Sequence, residues 1–170
     1  MMLGMSLATF TVVHVLISLI AIASGFVVIF GLVGGKRLGL TGTFLTTTVL
    51  TSVTAFMFPF EKVTPGIKLG IISMVVLAIT IAALYAFHLA GAWRSTYAVG
   101  ATMALYLNCF VLIAQLFEKV PALHELAPTG SEPPFLVAQL VLLAGFIALG
   151  TFATKGFRHQ AAGKVRSAAA

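Results

Sequence analysis

Long apolar runs alternate with short polar or charged segments along the whole chain. Four runs are almost continuously apolar, and they extend over about residues 8–34, 67–92, 97–117 and 135–154. Because a helix needs about 20 mostly apolar residues to cross a bilayer, each of these runs predicts one membrane span. A further run, about 38–60, has a suitable length but is rich in threonine between Thr41 and Thr54. The pattern predicts an all-α integral membrane helical bundle with five transmembrane helices, or with four if 38–60 does not span.

Composition agrees with a membrane protein of one domain. The chain of 170 residues is 60% hydrophobic and only 8% charged, whereas soluble domains carry roughly 25% charged residues. We assign residues 1–154 to the transmembrane bundle. Residues 155–170 are basic and polar, and we expect them to form a disordered tail that is attracted to anionic lipid.

The net charge of +6 does not indicate nucleic-acid binding. The basic residues lie in short loops and in the tail, and not on one face with interleaved aromatic side chains. The lipid bilayer is therefore the expected partner. Cys109 is the only cysteine, which excludes an internal disulfide bond and a Cys-x-x-Cys motif.

The distribution of charge predicts the orientation, because lysine and arginine concentrate in cytoplasmic loops. With five spans and the N-terminus outside, the inner segments contain Lys36, Arg37, Arg94, Lys155, Arg158, Lys164 and Arg166. The outer segments contain Lys62, Lys68 and Lys119 together with Glu61, Glu118, Glu125 and Glu132. We therefore expect the N-terminus outside and the C-terminus in the cytoplasm.

Small and hydroxylated residues recur at helical spacing in the second and third runs. Thr43, Thr47, Thr51 and Thr54 share one helical face, which predicts either a packing stripe or one wall of a polar cavity. Small residues recur at every fourth position of the third run, interrupted only by Met74, and this ridge predicts a close helix crossing. The small residues are Gly66, Gly70, Ala78, Ala82, Ala86 and Ala90. We expect helix packing at Gly70, Ala78 and Ala82 in a central third helix, and at Asn108 in the fourth.

Several polar side chains share one depth, just below the predicted outer interface. They are His14, Thr54, Gln115 and Gln139, and Ser18 lies one helical turn deeper than His14. An ionisable residue inside a membrane is a candidate functional residue, and buried polar groups need partners. We therefore expect these residues to line one ligand-binding pocket beneath the loop 118–135, which is either a lid or a connector. The alternative is a structural role, with a neutral His14 bonded to a neighbouring hydroxyl or carbonyl group.

The predicted spans contain no carboxylate side chain. The sequence therefore lacks the carboxylate relay that ion-coupled transporters usually have within the membrane. It also lacks the paired carboxylates of acid–base catalysis there. No metal motif, serine elbow or phosphate loop occurs. These observations favour a protein that is not an enzyme, with no catalytic residue, metal or cofactor. A haem or quinone is the alternative cofactor. His14 with His124, or His88 with His159, are the pairs at compatible depths.

Four short sequence segments are distinctive in combination, and they are FLTTTVLTSVTAFMFPF, GAWR, ALYLNCFVL and APTGSEPPF. Together they resemble a group of small multi-pass bacterial inner-membrane proteins without an assigned activity. The resemblance covers roughly His14 to Phe135. It implies a bacterial inner membrane and carries over no catalytic or binding residue.

The leading functional expectation is a non-enzymatic membrane module that binds a partner protein or a small lipophilic ligand from the outer side. The partner protein is another membrane protein or a second copy of the chain. A redox protein associated with haem or quinone is the first alternative. The second is an uncoupled small-solute pathway along the threonine stripe.

Overall fold

The computed structural model describes residues 4–58 and 65–168, except for the side chains of Pro65 and of residues 159–168. This part of the chain is all-α and has no strand. The helices are α1 (Leu7–Val33), α2 (Thr41–Phe56), α3 (Pro65–Ile81, extended by a π-helical segment, Ala82–Ala86), α4 (Trp93–Lys119), α5 (Pro121–His124) and α6 (Pro133–Ala168). The predicted helical bundle is therefore confirmed.

The five long helices alternate in direction. Gly31 near the end of α1 contacts Leu38 just before α2, and the Phe10 ring near the start of α1 contacts Phe58 just after α2, with 5.0 Å between ring centroids. The two helices are therefore antiparallel. Gly70 in the first turns of α3 lies against Phe56, so α3 begins at the end of the bundle where α2 finishes.

The charged residues separate to the two ends of this bundle. The basic end, where α1 and α3 finish and α4 begins, carries Lys36, Arg37, Arg94, Lys155 and Arg158. The acidic end carries Glu118, Glu125 and Glu132, together with Lys68 and Lys119. Residues 61 and 62, which the sequence analysis also assigned to this side, lie outside the described residues.

Within the described residues, four helices are long and apolar enough to cross a membrane, and they are Leu7–Val33, Gly66–Ala86, Trp93–Lys119 and Pro133–Arg158. The threonine-rich α2 has 16 residues, which corresponds to about 24 Å of helix and is less than the roughly 30 Å of a typical hydrocarbon core. It nevertheless runs beside α1 from the basic end to the acidic end. The residues that follow it, 59–64, lie outside the described residues.

The third helix ends earlier than the apolar pattern predicts. It reaches Ala86 rather than residue 92, and the chain then reverses through a turn with positive φ at His88 (47°), Leu89 (59°) and Gly91 (51°). Residues 87–92 are mostly apolar, so hydropathy does not mark this turn. The ring of Phe87 stacks on Trp93 at the start of α4, with centroids 3.8 Å apart.

The last helix extends further than the sequence analysis predicts. α6 continues to Ala168, through the segment 155–170 for which composition predicts disorder. The continuation has a physical reason, because residues 155–168 contain no proline and are rich in alanine, lysine and arginine, which favour helix. Lys155 and Arg158 consequently belong to a helix that packs in the bundle.

The packing face of α3 differs from the predicted ridge of small residues. Leu77, Thr80 and Ala83 are buried, whereas Ala78 is exposed and Ala82 is half-buried. The closest approach to α4 occurs where Thr80 lies against Gly100, whose missing side chain leaves space for the threonine. The bulkier Leu77 and Thr80 fill the space between α3 and α4.

The predicted threonine stripe of α2 is half-buried at three of its four positions, but the most buried hydroxyl residues of the helix lie outside it. Thr48 and Ser52 are buried and Thr43 is exposed, because Phe44 packs into the core against Gly25 of α1. The Thr48 hydroxyl donates to the Phe44 carbonyl at 2.7 Å, and similar bonds occur along the helix. Asn108 joins α4 to α2 by a long hydrogen bond, 3.5 Å from its amide nitrogen to the Thr48 hydroxyl.

Candidate functional site

Three of the five predicted site residues lie close together near the acidic end. Nδ1 of His14 lies 2.7 Å from the Thr54 hydroxyl oxygen. The Ser18 hydroxyl donates to the backbone carbonyl of His14 at 2.8 Å. Because the single Thr54 hydroxyl hydrogen donates to the Leu50 carbonyl at 2.7 Å, we assign the proton of the contact to His14 Nδ1. This contact joins α1 to α2, and Phe58 covers the imidazole in an edge-to-face arrangement.

The two glutamines form hydrogen bonds elsewhere. Gln139 is buried between α6 and α4, where its amide nitrogen donates to the Phe110 carbonyl at 3.1 Å and its amide oxygen has no hydrogen-bond partner among the described residues. Gln115 is exposed and donates to Glu118 at 3.3 Å. Neither glutamine is hydrogen-bonded to His14, so the structure brings together only His14, Ser18 and Thr54 of the predicted set.

The loop at the acidic end is organised by Glu132. Its carboxylate accepts hydrogen bonds from the Thr129 amide at 3.0 Å, the Thr129 hydroxyl at 2.8 Å and the Ser131 amide at 3.0 Å. Desolvation acts to raise the pKa of Glu132, but these hydrogen bonds stabilise the charged form and lower the pKa to about 2. The carboxylate thus holds the turn that precedes α6.

A cavity of about 480 Å³ lies between α4 and α6. We call it the α4–α6 groove, and its lining residues are Val99, Thr102, Met103, Tyr106, Leu143, Phe146, Ile147, Gly150, Thr151, Thr154, Lys155 and Arg158. The volume falls in the range of small-molecule sites, roughly 300–1,000 Å³. Most of the lining is apolar, as in sites for lipophilic ligands.

The groove opens sideways, toward the surface that surrounds the bundle. Ile147 is 62% exposed, Val99 is 53% exposed and Met103 is 43% exposed. Its inner wall is aromatic, with the Tyr106 ring set edge-on against Phe146 at 5.7 Å between centroids. A ligand can therefore enter from the apolar phase around the helices without passing along the bundle axis.

Polar groups of the groove lie toward the basic end. The hydroxyl groups of Thr102, Thr151 and Thr154 each donate to the carbonyl group four residues earlier, all at 2.8 Å. Their oxygen atoms remain available as acceptors. Beyond them, the Lys155 ammonium and the Arg158 guanidinium are exposed. In the part of the chain that the structure describes, no acceptor lies within hydrogen-bonding distance of either cation.

Arg94, the neighbouring cation on α4, is already engaged. Its guanidinium donates to the Phe157 carbonyl at 3.3 Å and lies 4.7 Å from the centre of the Phe157 ring. Gly156 beside it contacts the backbone carbonyl of Val33. These contacts hold α6 against α4 and α1 at the basic end, and so they place Lys155 and Arg158 at the mouth of the groove.

One pattern in the sequence of α6 indicates this site. Thr151, Thr154, Lys155 and Arg158 follow the spacing i, i+3, i+4 and i+7, which places four polar groups on one helical face. The signal requires the last helix to continue beyond residue 154. The groove residues of α4 have the same spacing, but Val99 and Met103 are apolar, so they do not stand out from the rest of the helix.

The histidines are widely separated. His14 lies between α1 and α2, His88 is exposed in the turn after α3, and His124 is exposed at the end of α5. The His159 side chain lies outside the described residues. Where the structure describes side chains, no three of the histidine, cysteine or acidic groups converge as a metal site would require.

Comparisons of the chain with family models, curated proteins and solved structures give no significant match.

Proposed function

We propose that this protein is a non-enzymatic membrane module that holds a small lipophilic ligand in the α4–α6 groove. The observation that carries the proposal is the combination of an apolar cavity of about 480 Å³ with a side opening through Val99, Met103 and Ile147. A site that takes up its ligand from the bilayer needs both an apolar cavity and an opening toward the lipid. The lining contributes no carboxylate, histidine or cysteine, so binding is the function that these side chains support.

The proposal moves the ligand from the expected outer side to the other end of the bundle. The hydroxyl and basic groups of the groove lie at the basic end, whereas His14 and Thr54 lie toward the acidic end. We place the basic end in the cytoplasm of a bacterium, with the bundle in the inner membrane, because basic loops are retained on the cytoplasmic side. The N-terminus is then outside.

A pair of tryptophan substitutions on α6 tests the proposal. Ile147 lines the groove and is 62% exposed, whereas Leu140 on the same helix is 63% exposed and does not line it. Ile147→Trp should fill the groove and reduce bound lipid at least several-fold, because a bulky ring occupies the ligand volume. Leu140→Trp should leave it unchanged.

The measurement is native mass spectrometry of purified protein in mild detergent, before and after addition of dioleoyl phosphatidylglycerol and dioleoyl phosphatidylcholine. We expect about one retained lipid per wild-type chain. Equal retention by wild type and Ile147→Trp would disprove the groove as the site. A mass that matches quinone or haem would instead favour the redox alternative, and an absorption spectrum would identify the haem.

A further inference from the structure

We infer that the α4–α6 groove selects a bilayer lipid with an anionic phosphate headgroup, which binds between Lys155 and Arg158. The inference rests on the proposed function and specifies the class of its ligand. The inference is supported by charge complementarity between the groove and the phosphate. Both cations line the mouth of the groove, and neither has a partner among the described side chains.

Among the described side chains, the basic end supplies no competing carboxylate. The described carboxylates, Glu118, Glu125 and Glu132, all lie at the acidic end. Lys155 and Arg158 are one helical turn apart, so their charged groups can approach the same phosphate. An arginine fork can donate two parallel hydrogen bonds to phosphate oxygens, while the lysine ammonium acts as a compact charge.

The dimensions of the groove agree with one lipid leaflet. From Leu143 to Arg158 the helix rises by about 22 Å. Half of a bilayer, including its polar region, is about 20–22 Å thick. A headgroup at Arg158 would therefore place its acyl chain beside Leu143 and Ile147, which line the apolar part of the groove.

The net charge of the lipid distinguishes two candidate headgroups at the level of Lys155 and Arg158. Phosphatidylglycerol carries a net negative charge, whereas the choline ammonium of phosphatidylcholine offsets the charge of its phosphate. Phosphatidylglycerol therefore fits the two cations of the groove better than phosphatidylcholine.

Competition between these two lipids with identical acyl chains tests the inference. Native mass spectrometry of the full chain gives the ratio of bound phosphatidylglycerol to phosphatidylcholine. We expect wild type to favour phosphatidylglycerol, and Lys155→Gln or Arg158→Gln to lower the ratio about five-fold each, since a basic residue near an anionic surface contributes about that factor. Arg158→Lys keeps the charge and should retain most of the preference.

Lys36→Gln is the matched control, because Lys36 is an exposed lysine of the same basic end that does not line the groove. It should change the ratio less than two-fold. An equal effect of Lys36→Gln and Lys155→Gln would show that surface charge, and not the groove, attracts the lipid, and the inference would fail.

The remaining outcomes separate the inference from the proposed function. If wild type retains both lipids equally, the groove binds lipid without charge selection, so the inference fails and the function survives. If wild type retains no lipid, both fail. A dimer mass without lipid that Ile147→Trp abolishes would mean that a second copy of the chain covers the groove, which also overturns the inference.

Discussion

The Nδ1 atom of His14 lies 2.7 Å from the Thr54 hydroxyl oxygen, and this contact joins α1 to α2 near the acidic end. The two residues are 40 positions apart in the chain. Since Thr54 donates its own hydrogen to Leu50, the histidine donates to the threonine. The contact is therefore a side-chain hydrogen bond between two helices.

Loss of this bond should weaken the association of α1 and α2. We expect Thr54→Val to lower the free energy of unfolding by about 0.6–1.7 kcal/mol, the range of interhelical hydrogen bonds in membrane proteins. Thr47→Val is the matched control, because the Thr47 hydroxyl bonds only to carbonyl groups of its own helix. Unfolding in mixed micelles with rising dodecyl sulfate measures both variants, and equal losses would show that the His14 contact contributes nothing specific.

The crossing of α3 and α4 depends on the absence of a side chain at Gly100. An added Cβ would lie 3.2 Å from the Thr80 Cβ atom and closer still to the Thr80 hydroxyl. We expect Gly100→Ala to lower the free energy of unfolding by about 1–3 kcal/mol through overpacking. Micellar unfolding is again the measurement.

Gly145→Ala provides the control for this overpacking, because an added Cβ at Gly145 meets no atom within 4 Å. It should leave stability unchanged or slightly raised. Thr80→Ala combined with Gly100→Ala should restore most of the lost stability. Failure of this rescue would place the cause of the destabilisation elsewhere than at the Thr80 contact.

The turn before α6 should depend on pH through Glu132. Its pKa is lowered to about 2 from an ordinary value of 4.5, so the folded turn favours the charged carboxylate. The stabilising contribution is complete above about pH 4.5 and is lost as the pH falls toward 2. Thr129→Val removes one donor and should move the pKa upward.

Carbon-13 resonances of the Glu132 carboxyl group measure this titration directly. A midpoint near the ordinary value in wild type would show that the Thr129 and Ser131 contacts do not persist in solution. Glu132→Gln should remove the pH dependence of the neighbouring amide resonances, and it thereby serves as the control.

The alternating direction of the five long helices predicts opposite locations for the two ends of the chain. Reporter fusions at the N-terminus and the C-terminus should report different compartments, and from the charge distribution we expect the C-terminal reporter in the cytoplasm. Detection of both reporters on one side of the membrane would contradict the passage of α2 from one side to the other.

The sequence by itself determined the helical class and the approximate positions of the long helices. A membrane span depends on length and apolar composition, because backbone polar groups must be satisfied within the helix. The same reasoning agrees with the structure in placing the described glutamates at one end of the bundle and most of the described basic residues at the other, with Lys68 and Lys119 at the acidic end. It did not locate the turn at His88 and Leu89, where backbone conformation rather than hydropathy ends the helix.

Only the tertiary structure decided which face of each helix is buried. In a bilayer the lipid is as apolar as the protein core, so hydropathy does not distinguish the two faces, and shape complementarity decides. Phe44 against Gly25 and Thr80 against Gly100 set the rotation of α2 and α3. For the same reason the groove was not visible in the sequence, because it lies between faces of α4 and α6 that only tertiary packing brings together. Its basic mouth also requires α6 to continue past residue 154, so that Lys155 and Arg158 lie beside α4.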